Sequence, residues 1–154
     1  MADTEQKQST VTARYKKARI FRDFLIETDT VKMFKEDEKE TAILFRSLYP
    51  LRENDKKQFM IIIDDSVYVT MQSMIIPQVP EEKRMEMLKL LNQIQLEYPT
   101  VKYVLTQTGQ VMTSMVFHAT EKHMDSAIMM RCILRFFEIV RENHYQRLLD
   151  VVNS

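Results

Sequence analysis

Glycine occurs once in 154 residues, at Gly109, and that scarcity excludes whole classes of chemistry. A dinucleotide-binding turn needs three glycines close together and a phosphate loop needs two. Only glycine lets backbone N–H groups close on a phosphate or takes positive φ without steric cost. Cysteine is also single (Cys132), so no internal disulfide framework is available, and tryptophan is absent. Three scattered histidines, His118, His123 and His144, do not make a metal set. The first two lack the i, i+4 spacing and fall across a strand-to-helix junction. An excess of one charge is missing too: 22 basic and 22 acidic residues cancel, so no net field draws the chain to nucleic acid or anionic lipid. No apolar run approaches the roughly 20 residues of a membrane span. The polar start, Met1 to Ser9, lacks the apolar core of a secretory signal. The expectation is a cytoplasmic protein with no membrane contact, nucleic acid, cofactor or metal.

What remains is 45% hydrophobic and 29% charged, ordinary for one globular domain. A polar, disordered tail is expected over residues 1–12 and a single domain over 13–154. Ile20, Phe21, Phe24 and Leu25 recur at helical spacing, predicting a first helix from Ala13 to about Thr28. Strands are predicted at Val31–Phe34 and Thr41–Tyr49, with the charged run Lys35–Glu40 as the turn between them. Gln58–Ile63 follows, and Met60-Ile61-Ile62-Ile63 is apolar on successive residues, the mark of a strand covered on both faces. Asp64-Asp65-Ser66 turns the chain into a strand from Val67. Pro80 with Glu81 and Glu82 opens a second helix that Pro99 closes. Val101–Leu105 and Val111–His118 read as a hairpin around Gly109. A last helix runs from Lys122 to about Asp150, apolar around most of its girth between Met124 and Val140. The sum is an α+β fold: an antiparallel sheet, a four-strand meander plus a hairpin, packed with three helices.

Few residues invite a chemical reading. Asp64-Asp65 is turn chemistry rather than a catalytic carboxylate pair, and Cys132 sits in an apolar run as a buried thiol. Arg14, Lys16, Lys17, Arg19 and Arg22 form a basic start to the first helix, read as a solvated face rather than a phosphate site. Asn92, beside the apolar face of the second helix, is read as a structural contact to the hairpin, and Gly109 as the turn residue. Twelve methionines are many for this length. They fit either a methionine-rich core or a surface that adapts to apolar partners. The over-apolar last helix needs a cover beyond the sheet, which makes Met124, Ile128, Met130, Leu134 and Phe137 the candidate interface.

Pro80-Glu81-Glu82, then Leu90-Leu91-Asn92, Val101 to Leu105, Gly109 and Val111 to Phe117 resemble the pattern of the YbjN-like family, over about residues 18–147. Gln95 stands where that family has a second asparagine, and Thr108 where an acidic residue precedes the turn glycine. The family comprises bacterial proteins described as sensory transduction regulators, with a fold like that of type III secretion chaperones. The resemblance implies homodimerisation and partner binding, and carries over no catalytic residue. The expected function is that of a non-catalytic, chaperone-like binding or regulatory protein, a homodimer with an apolar methionine-rich surface for a protein or peptide partner. The alternative is a small-ligand sensor or enzyme with its pocket between the second helix and the sheet.

Overall fold

The computed structural model describes residues 2–154, with side chains from Ala13 onward. The expected tail over residues 1–12 falls outside the residues described in full. The elements are α1 (Ala2–Glu27), a 3-10 turn (Val31–Met33), β1 (Lys35–Glu38), β2 (Ala42–Arg52), β3 (Asp55–Asp64) and β4 (Tyr68–Ile76). A second 3-10 turn (Glu81–Lys83) leads into α2 (Arg84–Glu97), followed by β5 (Lys102–Leu105) and β6 (Val111–His118). The last helical path is α3 (Ser126–Ile139), a π-helical turn (Val140–His144) and α4 (Tyr145–Asn153). The fold is α+β, a six-stranded antiparallel sheet in the order β1-β2-β3-β4-β6-β5 packed with helices. Among the described residues no helix is long and apolar enough to cross a membrane.

Two departures from the sequence expectation have local causes. The residues read as a charged turn are themselves the edge strand β1, paired Lys35 to Arg46 through Glu38 to Ile43. Their charges are answered in place: Glu36 takes Arg22 of α1, and Asp37 takes Lys39 at 3.2 Å and Arg46 at 3.5 Å. A short charged strand is how a sheet edge resists pairing with another chain. The predicted strand Val31–Phe34 is instead a 3-10 turn, because α1 stops just before it in a left-handed cap. Asp29 takes φ +55°. Its N–H bonds to Ile26 O at 3.1 Å, and Thr30 N–H to Leu25 O at 2.8 Å. These are the two bonds of a Schellman motif.

The chain divides into two compact units. The first (residues 1–47, 60–71 and 116–131) holds α1 against the sheet. Ala18, Phe21 and Leu25, on one helical face, are fully buried. The Phe21 ring meets Phe45 edge-on at 4.9 Å and Phe34 at 5.9 Å. Burying such a side chain stabilises by about 1.5–3 kcal/mol. The second unit (48–59, 72–115 and 132–154) packs α2 on β5 and α4 through Met87, Leu91 and Ile94. Phe136, 6.2 Å from Tyr103, and Phe137 complete its aromatic core.

Candidate interaction surfaces

Among the described residues, the cations Arg14, Lys16, Lys17 and Arg22 of α1 each have an internal partner, and Arg19 is exposed. Arg14 Nη1 meets Asp65 Oδ2 at 2.6 Å while its backbone N–H donates to Asp65 Oδ1 at 2.9 Å. Lys17 is 1% exposed, and its Nζ donates to the carbonyls of Ser66 (2.7 Å) and Tyr68 (3.0 Å). Burial lowers its pKa, and the charges of Asp64 and Asp65 partly offset that. Lys16 lies 3.4 Å from Glu121. Arg14 and Lys17 therefore clamp the β3–β4 turn. Asp64 closes that turn by accepting from Ser66 N–H at 3.0 Å, so neither aspartate is placed as an acid or base.

Asn92 is exposed, and the helix-to-hairpin contact assigned to it belongs to Gln95, one turn on. Gln95 Oε1 accepts the N–H of Tyr103 at 3.1 Å, and its Nε2 donates to Leu91 O at 3.3 Å. Asparagine at 92 points away because Leu91 and Ile94 define the buried face. Gly109 does what its residue type requires: φ is +91°, and its carbonyl accepts from Val79 N–H at 2.7 Å. The α2 face where a ligand pocket was expected buries Met87, Leu91 and Ile94. Below it Tyr103 Oη and His144 Nδ1 are 2.9 Å apart, 4% and 2% exposed. Burial raises the Tyr103 pKa and lowers that of His144, so each favours its neutral form. The pair stands inside the core, out of reach of substrate. Among the described residues no group of three or more His, Cys, Asp or Glu side chains could hold a metal ion.

The five residues proposed on the last helix separate. Ile128 is 53% and Leu134 44% exposed, while Met124 and Met130 are half-buried. Phe137 is wholly buried, its ring stacked on Tyr49 at 4.8 Å and 5.4 Å from Phe59. It is a core residue of the second unit and leaves the interface set. With Met129, Ile133 and Phe136 it gives α3 a single buried face, so the helix needs less external cover than its composition suggests.

Exposed apolar side chains also lie on the sheet, besides Ile128 and Leu134 on α3 and Met85, Leu88 and Leu96 on α2. In the first unit the strands bury one alternation most fully, including Ile43 and Phe45 on β2, Ile61 and Ile63 on β3, and Val69 and Met71 on β4, and Leu44 of the opposite alternation is buried too. Phe45, the residue that meets α1, belongs to this set. The opposite alternation carries Met60 and Ile62, both half-buried, with Tyr68 at 43% and Val116 at 58% exposure. The Tyr68 ring packs 5.4 Å from that of His118. Asp37 and Arg46 supply charge at the β1 side. In the second unit the same alternation exposes Leu48 (55%), Met74 (40%) and Val104 (39%). Single exposed apolar residues are ordinary, and a set spread over adjacent strands and edged by charge is a candidate interaction surface. The signal was in the sequence, in the unbroken run Met60–Ile63.

Compared with known proteins, the chain matches no family model, and no curated protein is significantly similar to it.

Proposed function

We propose that the chain is a cytoplasmic, non-catalytic protein-binding and regulatory protein, chaperone-like in mode, that works as a homodimer through the apolar outward face of its sheet. The observation that carries this reading is the first unit's outward alternation, where Met60, Ile62, Tyr68 and Val116 meet water on adjacent strands. Apolar surface left in water forgoes about 25 cal/mol per Å². Twisted sheets pack face to face about 10 Å apart, so a second copy with the same twist is a natural cover. Zero net charge removes long-range repulsion between copies. Methionine at Met60, and at Met74 and Met112 in the second unit, suits a face that accepts more than one apolar shape. The resemblance of residues 18–147 to the YbjN-like family supports the same reading.

Sedimentation velocity tests it. The wild type should sediment as a dimer. Ile62→Glu with Val116→Glu should yield a monomer whose circular dichroism is unchanged, whereas Ile128→Glu with Leu134→Glu on α3 should leave the dimer intact. A monomeric wild type, or a dimer indifferent to the sheet pair, overturns the proposal.

A further inference from the structure

In the second unit β5 ends the sheet and pairs on one side only, with β6. Thr106 N–H donates to Gln110 O at 2.8 Å, and Val104 and Lys102 continue that alternation opposite Met112 and Ser114. Backbone groups of an antiparallel strand alternate in direction, so those of Tyr103 and Leu105 point away from β6 along the edge. The Tyr103 N–H is met there by a side chain, Gln95 Oε1 of α2 at 3.1 Å. At the far end of the same edge Arg84 Nη1 of α2 donates to Gln107 O at 3.2 Å. Leu88 lies between these two ties on the same side of the helix, one turn after Arg84 and two before Gln95, and is 47% exposed. On the outward side of the sheet Lys102 and Val104 line a cavity of about 250 Å³ with Gln72, Met112 and Ser114. Lys102 is the one charged side chain in that lining.

We propose that an extended segment of a protein partner adds to β5 as a further antiparallel strand, displacing the side chain of Gln95. The inference rests on the protein-binding reading above and adds the form of the partner. Gln95 Oε1 stands where the carbonyl of an added strand belongs, so it caps the edge in the free protein. Main-chain bonds hold the segment: Leu105 exchanges N–H and C=O with it, and Tyr103 does so once Gln95 has swung away. Successive side chains of a strand point to opposite faces. The one opposite Leu105 turns toward α2, where Leu88 favours an apolar residue. Those opposite Val104 and Lys102 turn to the outer cavity, which favours an apolar residue and then, two positions on, an acid. A four-residue edge spans about 13 Å, far short of the roughly 1,600 Å² that a stable dimer interface buries, so it fits a short segment rather than a second folded copy.

The test is an NMR titration of the full-length ¹⁵N-labelled protein with acetyl-Thr-Val-Val-Thr-Glu-Thr-amide. Saturable shifts are expected at the amides of residues 102–106, 88 and 95, and exchange of the Leu105 amide proton should slow about tenfold at saturation. The control peptide is N-methylated at its first valine, which removes the N–H that faces Leu105 O, and should bind about tenfold more weakly. Leu105→Pro removes the outward N–H without breaking a bond to β6 and should weaken binding as much. Gln95→Ala should tighten binding about threefold or more, because the Tyr103 N–H then has no other partner. Lysine in place of the peptide's glutamate should weaken binding about two- to fivefold, and Lys102→Glu should reverse that preference. Equal binding of the N-methyl peptide, shifts confined to other residues, no saturation at millimolar peptide, or unchanged or weaker binding by Gln95→Ala overturns the proposal. A dimer that Leu105→Pro disperses gives the edge to a second copy and overturns it too. Sedimentation of the free protein judges the sheet-face dimer separately. A dimer that ignores the peptide overturns the edge alone, and a monomer that binds it overturns the dimer alone.

Discussion

Replacing Gly109 by alanine should be among the most damaging single-methyl changes in the second unit, and the structure shows how the cost arises. An added Cβ would lie 2.8 Å from Arg84 Nη2, 2.8 Å from Gln78 Nε2 and 2.9 Å from Val79 O. The first two atoms end flexible side chains and can retreat. The third is backbone, held in place because Val79 N–H is bonded to Gly109 O at 2.7 Å. Holding an L-residue at φ +91° costs about 1–3 kcal/mol before any clash is counted. Moving Arg84 weakens its bonds to the carbonyls of Gln107 (3.2 Å) and Thr108 (3.4 Å). Both are long and exposed, so together they contribute about 1 kcal/mol. The total is about 3 kcal/mol, or a fall in Tm of roughly 6–12 °C for a protein of this size. Urea melts at constant m-value measure it. An Arg84→Ala background removes one of the three obstructions, so Gly109→Ala should cost about 1 kcal/mol less there, a coupling a double-mutant cycle resolves. A loss below about 1 kcal/mol in the wild-type background would refute the reasoning about the turn. Equal losses in both backgrounds would refute the role given to Arg84.

Acid should loosen the second unit through His144. Burial, then the charge of Arg147, lowers its pKa in the folded protein, with Glu97 opposing and Tyr98 and Tyr103 packed beside it. As pH falls below about 6.5 the unfolded chain takes up the proton first, so stability is full above that pH and declines beneath it. Thermal melts between pH 7.5 and 5 should show the decline, and His144→Gln should flatten it; an unchanged slope in the variant would assign the effect elsewhere. Gln95→Ala should cost about 1–2 kcal/mol by leaving the Tyr103 N–H unpaired. Asn92→Ala, at an exposed helical position, should be neutral or gain up to about 0.7 kcal/mol. Thermal denaturation of both variants decides the matter, and the reverse order would return the helix-to-hairpin contact to Asn92.

Periodicity recovered the helices and most strands because burial in this fold is one-sided, and one-sided burial writes a clean pattern. It misread Lys35–Glu38 for the same reason. That strand is held by pairing with β2 and by charge partners on both faces, so no apolar alternation announces it. The change from α3 through a π-turn to α4 was also invisible. Phe136, Val140, His144 and Leu148 are all buried at steps of four, so the helical period continues through the irregular turn. Asn92 misled because asparagine is conspicuous in a helix, whereas Gln95, an ordinary helix former, makes the bond. The buried Ser126 hydroxyl, without a hydrogen-bond partner among the described residues, has no signature, since a serine after an aspartate reads simply as a helix start.

Composition points to excess apolar side chain on the last helix, and there Phe137 is internal while Ile128 and Leu134 are exposed. Phe137 looked surplus on a rod apolar most of the way round, yet Tyr49 and Phe59 cover it within the second unit. Met60 and Ile62 looked safely interior, because a strand apolar on successive residues is normally covered on both sides. In the single chain only Ile61 and Ile63 reach full burial there, and their neighbours stay half in water beside Tyr68 and Val116. A polar residue at 60 or 62 would have served a sheet with one wet face equally well, as it does at Thr70 and His118. That two large apolar residues stand there instead is the reason to look for the second layer outside the chain.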